Sequence, residues 1–173
     1  MHRLSAFLIA LLLGAAPSFG QSVVKTETVR AELISEAATV KPGEPFWVGL
    51  RETIKPKWHT YWKNPGDAGQ PTDIKWTLPA GVTADPIVWP APTLNDVGGI
   101  INYGYHDDVL LPVTVYPEDR KAPVNVRLHV TYAACREVCV LDAGGPTAES
   151  AARTAAGSSS KPYGCWKRFP SPR

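Results

Sequence analysis

The feature that most constrains this chain is a succession of short apolar runs separated by proline- and glycine-rich turns. The run at residues 124–132 shows the pattern best, because apolar residues occupy every second position and polar residues lie between them. A period of two is typical of a β-strand with one buried and one exposed face. About seven such runs fit within residues 21–140. They predict an all-β fold, an immunoglobulin-like antiparallel β-sandwich.

The tryptophans indicate a large apolar interior for this sandwich. The chain has six, and five of them lie within residues 21–140. Their large side chains contribute much apolar area to a core. Residues 58–62 alternate, so Trp58, Thr60 and Trp62 are predicted to share one face of a strand. The five predicted core anchors, of which one or two could instead rim a partner groove, are Trp47, Trp58, Trp62, Trp76 and Trp89.

Residues 1–20 have the pattern of a secretory signal peptide. A short basic start is followed by the apolar run Leu4–Leu13 and by small residues before Gly20. The run is too short for a spanning helix, so we expect cleavage after Gly20 and export from the cytosol. A membrane anchor is the alternative. After cleavage, no later segment is apolar enough to cross a bilayer.

The remaining chain divides by composition. Residues 21–140 are predicted to form the β-sandwich domain. Residues 141–173 are rich in Ala, Gly, Ser and Pro and are predicted to be a disordered tail. The formal net charge of +2 excludes a strongly basic nucleic-acid-binding protein, so no nucleic-acid partner is expected.

Two of the three cysteines lie close together, at Cys135 and Cys139, and the third is Cys165. An exported chain meets an oxidising environment, in which disulfides persist. Residues four apart on one helical turn lie about 6 Å apart, within the Cα range of a disulfide. Such a bond closes a very small loop and adds little stability. It is therefore more readily explained as a reactive bond than as a structural one.

Other interpretations of this pair stay open. A plain structural disulfide has the same spacing, whereas zinc needs about four ligands and no histidine lies close to the pair in sequence. His59, His106 and His129 are each predicted to be surface or edge-strand residues. Arg136 would favour the Cys135 thiolate, and Glu137 would oppose it. Thiol exchange requires no metal or organic cofactor, so none is expected.

Residues 89–106 are predicted to form a long loop. They are rich in Pro and Gly but also contain apolar and tyrosine side chains, which loops usually avoid. Long loops of this kind are often functional. The alternative is a packed connection between strands.

Four segments together resemble the amino-terminal periplasmic domain of DsbD/ScsB-type thiol:disulfide interchange proteins. They are WHTYWKNPGDAGQPTDIKWTLPAGV (58–82), IVWP (87–90), YGYHDDVLLPVTV (103–115) and VTYAACREVCV (130–140). They occur in the order of the family, and the cysteine pair follows the expected strand. The resemblance implies an immunoglobulin-like sandwich with a redox-active cysteine pair.

The resemblance also implies a role in electron relay. Such a domain takes reducing equivalents from a membrane-embedded thiol-reductase domain and passes them to oxidised periplasmic thioredoxin-like proteins. It assigns the catalytic roles to Cys135 and Cys139, and we expect Cys139 to form the mixed disulfide and Cys135 to resolve it. A loop caps the pair in the family, and by position residues 92–104 would be that cap.

This chain also departs from the family pattern. Full-length members continue into transmembrane helices and a thioredoxin-like domain, whereas here the sequence soon after Cys139 becomes rich in Ala, Gly and Ser. We expect either a stand-alone shuttle domain with separate partner chains or a truncated, non-functional fragment. A third hypothesis is a non-catalytic binding module of the cell envelope with one structural disulfide.

Overall fold

The computed structural model describes residues 23–36, 40–118, 124–143 and 150–152, which form strands and connecting turns without a helix. Every strand pair that they form is antiparallel. This confirms the predicted all-β antiparallel fold. The strands are β1 (Val23–Lys25), β2 (Val29–Ser35), β3 (Phe46–Ile54), β4 (Thr60–Gly66), β5 (Asp73–Thr77), β6 (Val82–Ala84), β7 (Thr93–Val97), β8 (Ile100–Tyr105), β9 (Asp108–Pro117), β10 (Val124–Cys135), β11 (Cys139–Ala143) and β12 (Ser150–Ala152).

Two sheets enclose the main core. The larger has the strand order β1-β2-β3-β9-β6, and the other is built on β10, which pairs with β5, β11 and β12. Leu50 of β3 lies opposite Leu111 of β9, and both are buried. Burying a side chain of this size contributes about 1.5–3 kcal/mol. The buried side chains of the two sheets form one cluster, so the sheets pack face to face.

Strand β10 confirms the predicted alternation. Val124, Val126, Leu128 and Val130 are buried, whereas the residues between them are exposed or half-buried. The pattern ends after Tyr132, because Ala133, Ala134 and Cys135 are all buried as well. The last three residues of this strand are therefore buried on both faces of the sheet, which a period of two does not predict.

A third sheet, with the order β4-β8-β7, corrects the prediction of a long loop at residues 89–106. Most of that segment forms a β-hairpin, in which Val97 pairs with Ile100 across Gly98 and Gly99. Both glycines have positive φ, 64° and 90°, as a tight two-residue hairpin turn requires. The Gly-Gly pair between apolar residues was the signal for this hairpin.

The tryptophans divide between two positions. Trp47 is buried, as predicted. The other four are only partly buried and pack against the main core from its margin: Trp58, Trp62, Trp76 and Trp89. They therefore contribute to the core without being enclosed by it.

The domain limits at residues 20 and 140 stay predictions. Residues 141–143 belong to β11 and residues 150–152 form β12, and both strands pair with β10. The predicted signal peptide and Cys165 lie outside the described residues. Within the described ranges, no helix has the length and apolar character needed to cross a membrane.

Candidate functional site

Cys135 and Cys139 form a disulfide across a β-hairpin. Cys135 ends β10, Cys139 begins β11, and three residues connect them. Their Cα atoms lie 4.1 Å apart. The prediction of a helical turn at this pair is wrong, because β10 continues to Cys135 and the chain then reverses in a short turn. A spacing of four thus places the cysteines opposite each other on neighbouring strands.

The backbone explains why the side chains meet. The N–H of Cys135 donates to the carbonyl oxygen of His59, and the N–H of His59 donates to that of Cys135, both at 3.0 Å. The polar groups of Cys135 therefore point away from β11, which makes Cys135 and Cys139 a non-hydrogen-bonded pair. Residues in such pairs have the closest Cα atoms and side chains in an antiparallel sheet.

The two cysteines differ in exposure. Cys135 is 3% exposed and packs with Tyr61 and Ala133 in a small cluster separate from the main core. Cys139 is an exposed residue of β11. Attack on a disulfide requires access to one sulfur, with the other sulfur as the leaving group. Cys139 is therefore the more accessible of the two cysteines.

Two buried polar residues lie next to the pair. Tyr61 is 2% exposed, and its hydroxyl oxygen lies 3.8 Å from the Cys139 sulfur. His59 is 4% exposed, and its Nε2 lies 3.2 Å from the Tyr61 hydroxyl. Residues i and i+2 of an extended chain project to the same side, which brings both rings to the disulfide. The prediction that His59 is a surface or edge-strand residue is therefore wrong with respect to its burial.

Burial sets the protonation of these groups. Burial lowers the pKa of His59, and the neighbouring His106 lowers it further. Burial raises the pKa of Tyr61. At neutral pH the imidazole is therefore neutral and the phenol keeps its proton. The Cys139 sulfur therefore lies beside the neutral Tyr61 hydroxyl, which in turn contacts the neutral His59 imidazole, and neither group carries a charge.

Arg136, in the hairpin turn, has two partners. Its guanidinium carbon lies 5.7 Å from the centre of the Trp58 ring, and its Nη2 lies 3.8 Å from a Glu137 carboxylate oxygen. A cation over a tryptophan face is favourable. The predicted opposition between Arg136 and Glu137 at the Cys135 sulfur is untested and stays a prediction.

The predicted cap, residues 92–104, lies in the β7–β8 hairpin. His106 follows this hairpin and connects it to the site. Its Nε2 lies 2.6 Å from the Asn95 side-chain oxygen, its Nδ1 lies 3.2 Å from the Trp58 carbonyl oxygen, and its ring centre is 5.6 Å from that of His59. The hairpin is therefore hydrogen-bonded to the surroundings of the disulfide.

Large apolar side chains are exposed near the Cys135–Cys139 disulfide and on the β7–β8 hairpin. Val138, in the turn between Cys135 and Cys139, is 66% exposed. Large apolar side chains in a contiguous exposed patch often mark an interaction surface. The exposed large apolar residues on these elements are Val138, Val140, Leu141, Leu94, Val97 and Ile100.

Sequence reasoning identified the cysteines but missed His59 and Tyr61. The signal was the alternation of residues 58–62, which places these two rings opposite the face shared by Trp58, Thr60 and Trp62. Among the described residues, no group of three or more His, Cys, Asp and Glu side chains is arranged to hold a metal ion.

The fold and the site define a class. An all-β antiparallel domain whose surface disulfide exposes one cysteine has the geometry of a thiol:disulfide interchange domain. The chain belongs to the family of the N-terminal domain of thiol:disulfide interchange protein DsbD, whose family model matches residues 29–145. This match confirms the resemblance seen in the sequence.

Solved structures support the same fold. The chain is similar to the crystal structure of the N-terminal periplasmic domain of ScsB from Proteus mirabilis, with a TM-score of 0.58 and 23% sequence identity. The similarity covers 77% of this chain and 53% of that chain, so this protein spans about half of that structure's length. A search of curated proteins finds no match.

Proposed function

We propose that this domain relays reducing equivalents in the periplasm from a membrane-embedded thiol-reductase domain to oxidised thioredoxin-like proteins. The observation that carries the proposal is the disulfide between buried Cys135 and exposed Cys139. One sulfur is open to a partner, and the other is held where it can re-form the bond. Membership of the DsbD N-terminal family supports the same role.

The chemistry proceeds by two exchanges that move two electrons and two protons. A donor thiolate attacks the Cys139 sulfur, and Cys135 leaves as a thiolate that takes up a proton. The donor's second thiol releases Cys139 as a thiol, so the pair is reduced and the donor is oxidised. The Cys139 thiolate then attacks an acceptor disulfide, and Cys135 displaces the acceptor, which restores the original bond.

The surroundings of Cys139 support docking of a protein partner. Val138, Val140 and Leu141 are exposed beside it, and their apolar area would leave water in a complex. β11 is also an edge strand of its sheet, with β10 on one side. The β7–β8 hairpin is the proposed cap: β8 pairs with β4, the strand that carries Tyr61, and β7 is linked to the site through the contact between Asn95 and His106.

Trapping tests the proposal directly. The full chain carrying Cys165→Ser is reduced and mixed with an oxidised thioredoxin-like protein, and free thiols are blocked at intervals. The domain is expected to reduce the partner within minutes. Cys135→Ser should accumulate a mixed disulfide through Cys139, and Cys139→Ser is the matched control that should trap none.

The reduction potential of the pair separates the alternatives. A value within the range from thioredoxin to protein disulfide isomerase, about −270 to −180 mV, agrees with a relay. A value below about −300 mV, or no exchange of the folded and accessible pair, would reject the relay and leave a structural disulfide in a binding module.

A further inference from the structure

A chain of three side chains leads from the exposed sulfur into the protein. The Cys139 sulfur lies 3.8 Å from the Tyr61 hydroxyl oxygen, which lies 3.2 Å from Nε2 of His59. The two rings meet edge to face with their centres 5.1 Å apart. Both residues are almost completely buried, so the path beyond Cys139 is shielded from bulk water.

We propose that Tyr61 and His59 form a proton relay for Cys139, in which His59 holds the proton that leaves the thiol and Tyr61 passes it across. The proposal rests on the thiol:disulfide interchange proposed above. It assigns Tyr61 and His59 to a step that the cysteines alone do not explain, namely where the proton goes when the attacking thiolate forms.

The hydrogen-bond inventory of the three groups permits this transfer. In the disulfide, the Cys139 sulfur carries no hydrogen, so it can only accept from the Tyr61 O–H, and the Tyr61 oxygen can then accept from His59 Nε2–H. In the reduced state, the Cys139 S–H can donate to the Tyr61 oxygen, and the Tyr61 O–H can then donate to a neutral Nε2. The contacts therefore permit opposite hydrogen-bond directions in the two redox states, with different tautomers of His59.

The step balances in protons and charge. The thiol proton moves to the Tyr61 oxygen while the Tyr61 proton moves to Nε2, which leaves a thiolate and an imidazolium. The thiolate forms a bond to a partner sulfur, and the partner's S–S bond breaks. The departing partner thiolate takes up a proton from solvent and His59 returns its proton to solvent, so no net proton is gained or lost at this step.

The groups that face His59 suit it as a proton acceptor. His106 lies across from it, Tyr61 lies on its own strand, and the Cys135 backbone holds it on the side of β10. Arg136 and Glu137 lie in the adjacent turn and pair with each other. Burial and His106 both lower the pKa of His59, so the ring is neutral and can accept a proton before the thiol ionises, and the same causes favour release of that proton once the thiolate has reacted.

The test is the pH profile of thiol reaction with a small disulfide, 5,5′-dithiobis(2-nitrobenzoic acid). The reduced full chain carries Cys165→Ser, so that only the pair reacts. Tyr61→Phe keeps the ring and removes the hydroxyl, His59→Gln removes the base, and His129→Gln, at an exposed histidine of β10, is the control. We expect Tyr61→Phe and His59→Gln each to slow the reaction about a hundredfold, the lower end of the range for proton transfer by a positioned side chain.

The shape of the profile distinguishes a relay from a packing effect. With Tyr61 and His59 both present, the rate should fall more steeply than the fraction of thiolate as pH drops through the lowered pKa of His59. Protonated His59 can no longer accept the thiol proton. Both variants should lose this additional fall, and His129→Gln should keep it. If His59→Gln does not fold, Tyr61→Phe decides alone.

Two results would overturn the relay. If Tyr61→Phe folds with an unchanged rate and profile, the hydroxyl carries no proton and the relay is wrong, although the interchange function stands. If the unsubstituted pair reacts with neither the small disulfide nor a protein partner, the interchange function fails and the relay fails with it.

Discussion

The main core and the small cluster next to the disulfide differ in size and in residue composition. The main core is a continuous set of mostly Val and Leu side chains between two sheets. The disulfide cluster contains only Tyr61, Ala133 and Cys135 among buried apolar residues, with the polar His59 at its edge. The first region is sealed and supplies stability. The second borders solvent through Cys139 and carries the cysteine pair to which we assign the exchange chemistry.

Strand β10 connects the two regions. Residues Val124–Tyr132 line the main core with alternate side chains, and the last three residues enter the disulfide cluster. Because Cys135 ends a long, well-anchored strand, its position does not depend on the disulfide that it forms with Cys139. We infer that the cysteine pair can open while the sandwich stays folded.

The largest expected effect is in the main core. Leu111 is fully buried, so Leu111→Ala should reduce the free energy of unfolding by about 2–5 kcal/mol, through lost burial and a cavity. Urea unfolding of the oxidised protein measures this loss. Val138→Ala, at an exposed position, should change it by less than about 0.5 kcal/mol. Equal effects would contradict the division into two regions.

Reduction of the disulfide should have a smaller effect. The bond closes a loop of residues 135–139 only, for which chain entropy gives about 2 kcal/mol or less. Urea unfolding with and without dithiothreitol, in the Cys165→Ser chain, measures the difference. A loss as large as that of the core substitution would show that the bond holds the sandwich together, against the relay.

A buried acid between the regions gives a pH-dependent prediction. Glu52 in β3 is fully buried and accepts a 2.8 Å hydrogen bond from Thr72, and burial raises its pKa above 4.5. Hydrogen bonding from the Thr72 and Thr60 hydroxyls opposes this rise without cancelling it. A pKa raised in the folded state contributes stability at low pH that is lost as pH rises through the folded value.

Glu52→Gln should therefore raise the melting temperature at pH 8 by a few degrees and have little effect near pH 4. The amide stays neutral at both pH values and keeps an acceptor for Thr72. Melting curves across this pH range test it, with Glu44→Gln, at an exposed carboxylate, as the control. A lower melting temperature at pH 8 would mean that the charged form is stabilised in the fold.

The smallest effect on stability is expected at the exposed apolar residues near the disulfide and on the β7–β8 hairpin. Leu141→Ser should change the free energy of unfolding by less than about 0.5 kcal/mol, because Leu141 is 58% exposed. It should nevertheless slow exchange with a thioredoxin-like protein and leave the reaction with a small disulfide unchanged. Equal rates with the protein partner would exclude this residue from the docking surface. Leu94→Ser applies the same comparison to the β7–β8 hairpin.

Local patterns predicted much of the fold. The alternation in β10 was read correctly because solvent on one face and core on the other impose a period of two. The β7–β8 hairpin is not predicted, because the Pro- and Gly-rich composition of residues 89–106 favours a loop, although Gly98-Gly99 between Val97 and Ile100 is a turn signal. The cysteine spacing predicted proximity correctly and the intervening backbone wrongly, since a helical turn and a hairpin both bring residues four apart together.

The sequence by itself determined the all-β class, the buried face of β10 and the closeness of Cys135 to Cys139, because each depends on neighbours a few residues away. Only the tertiary structure decided that Cys135 is enclosed while Cys139 is exposed, and that His59 and Tyr61 lie beside the sulfur. Those facts depend on the bridge between His59 and Cys135, a contact between residues 76 positions apart. Local sequence pattern carries no information about which distant strand supplies such a neighbour.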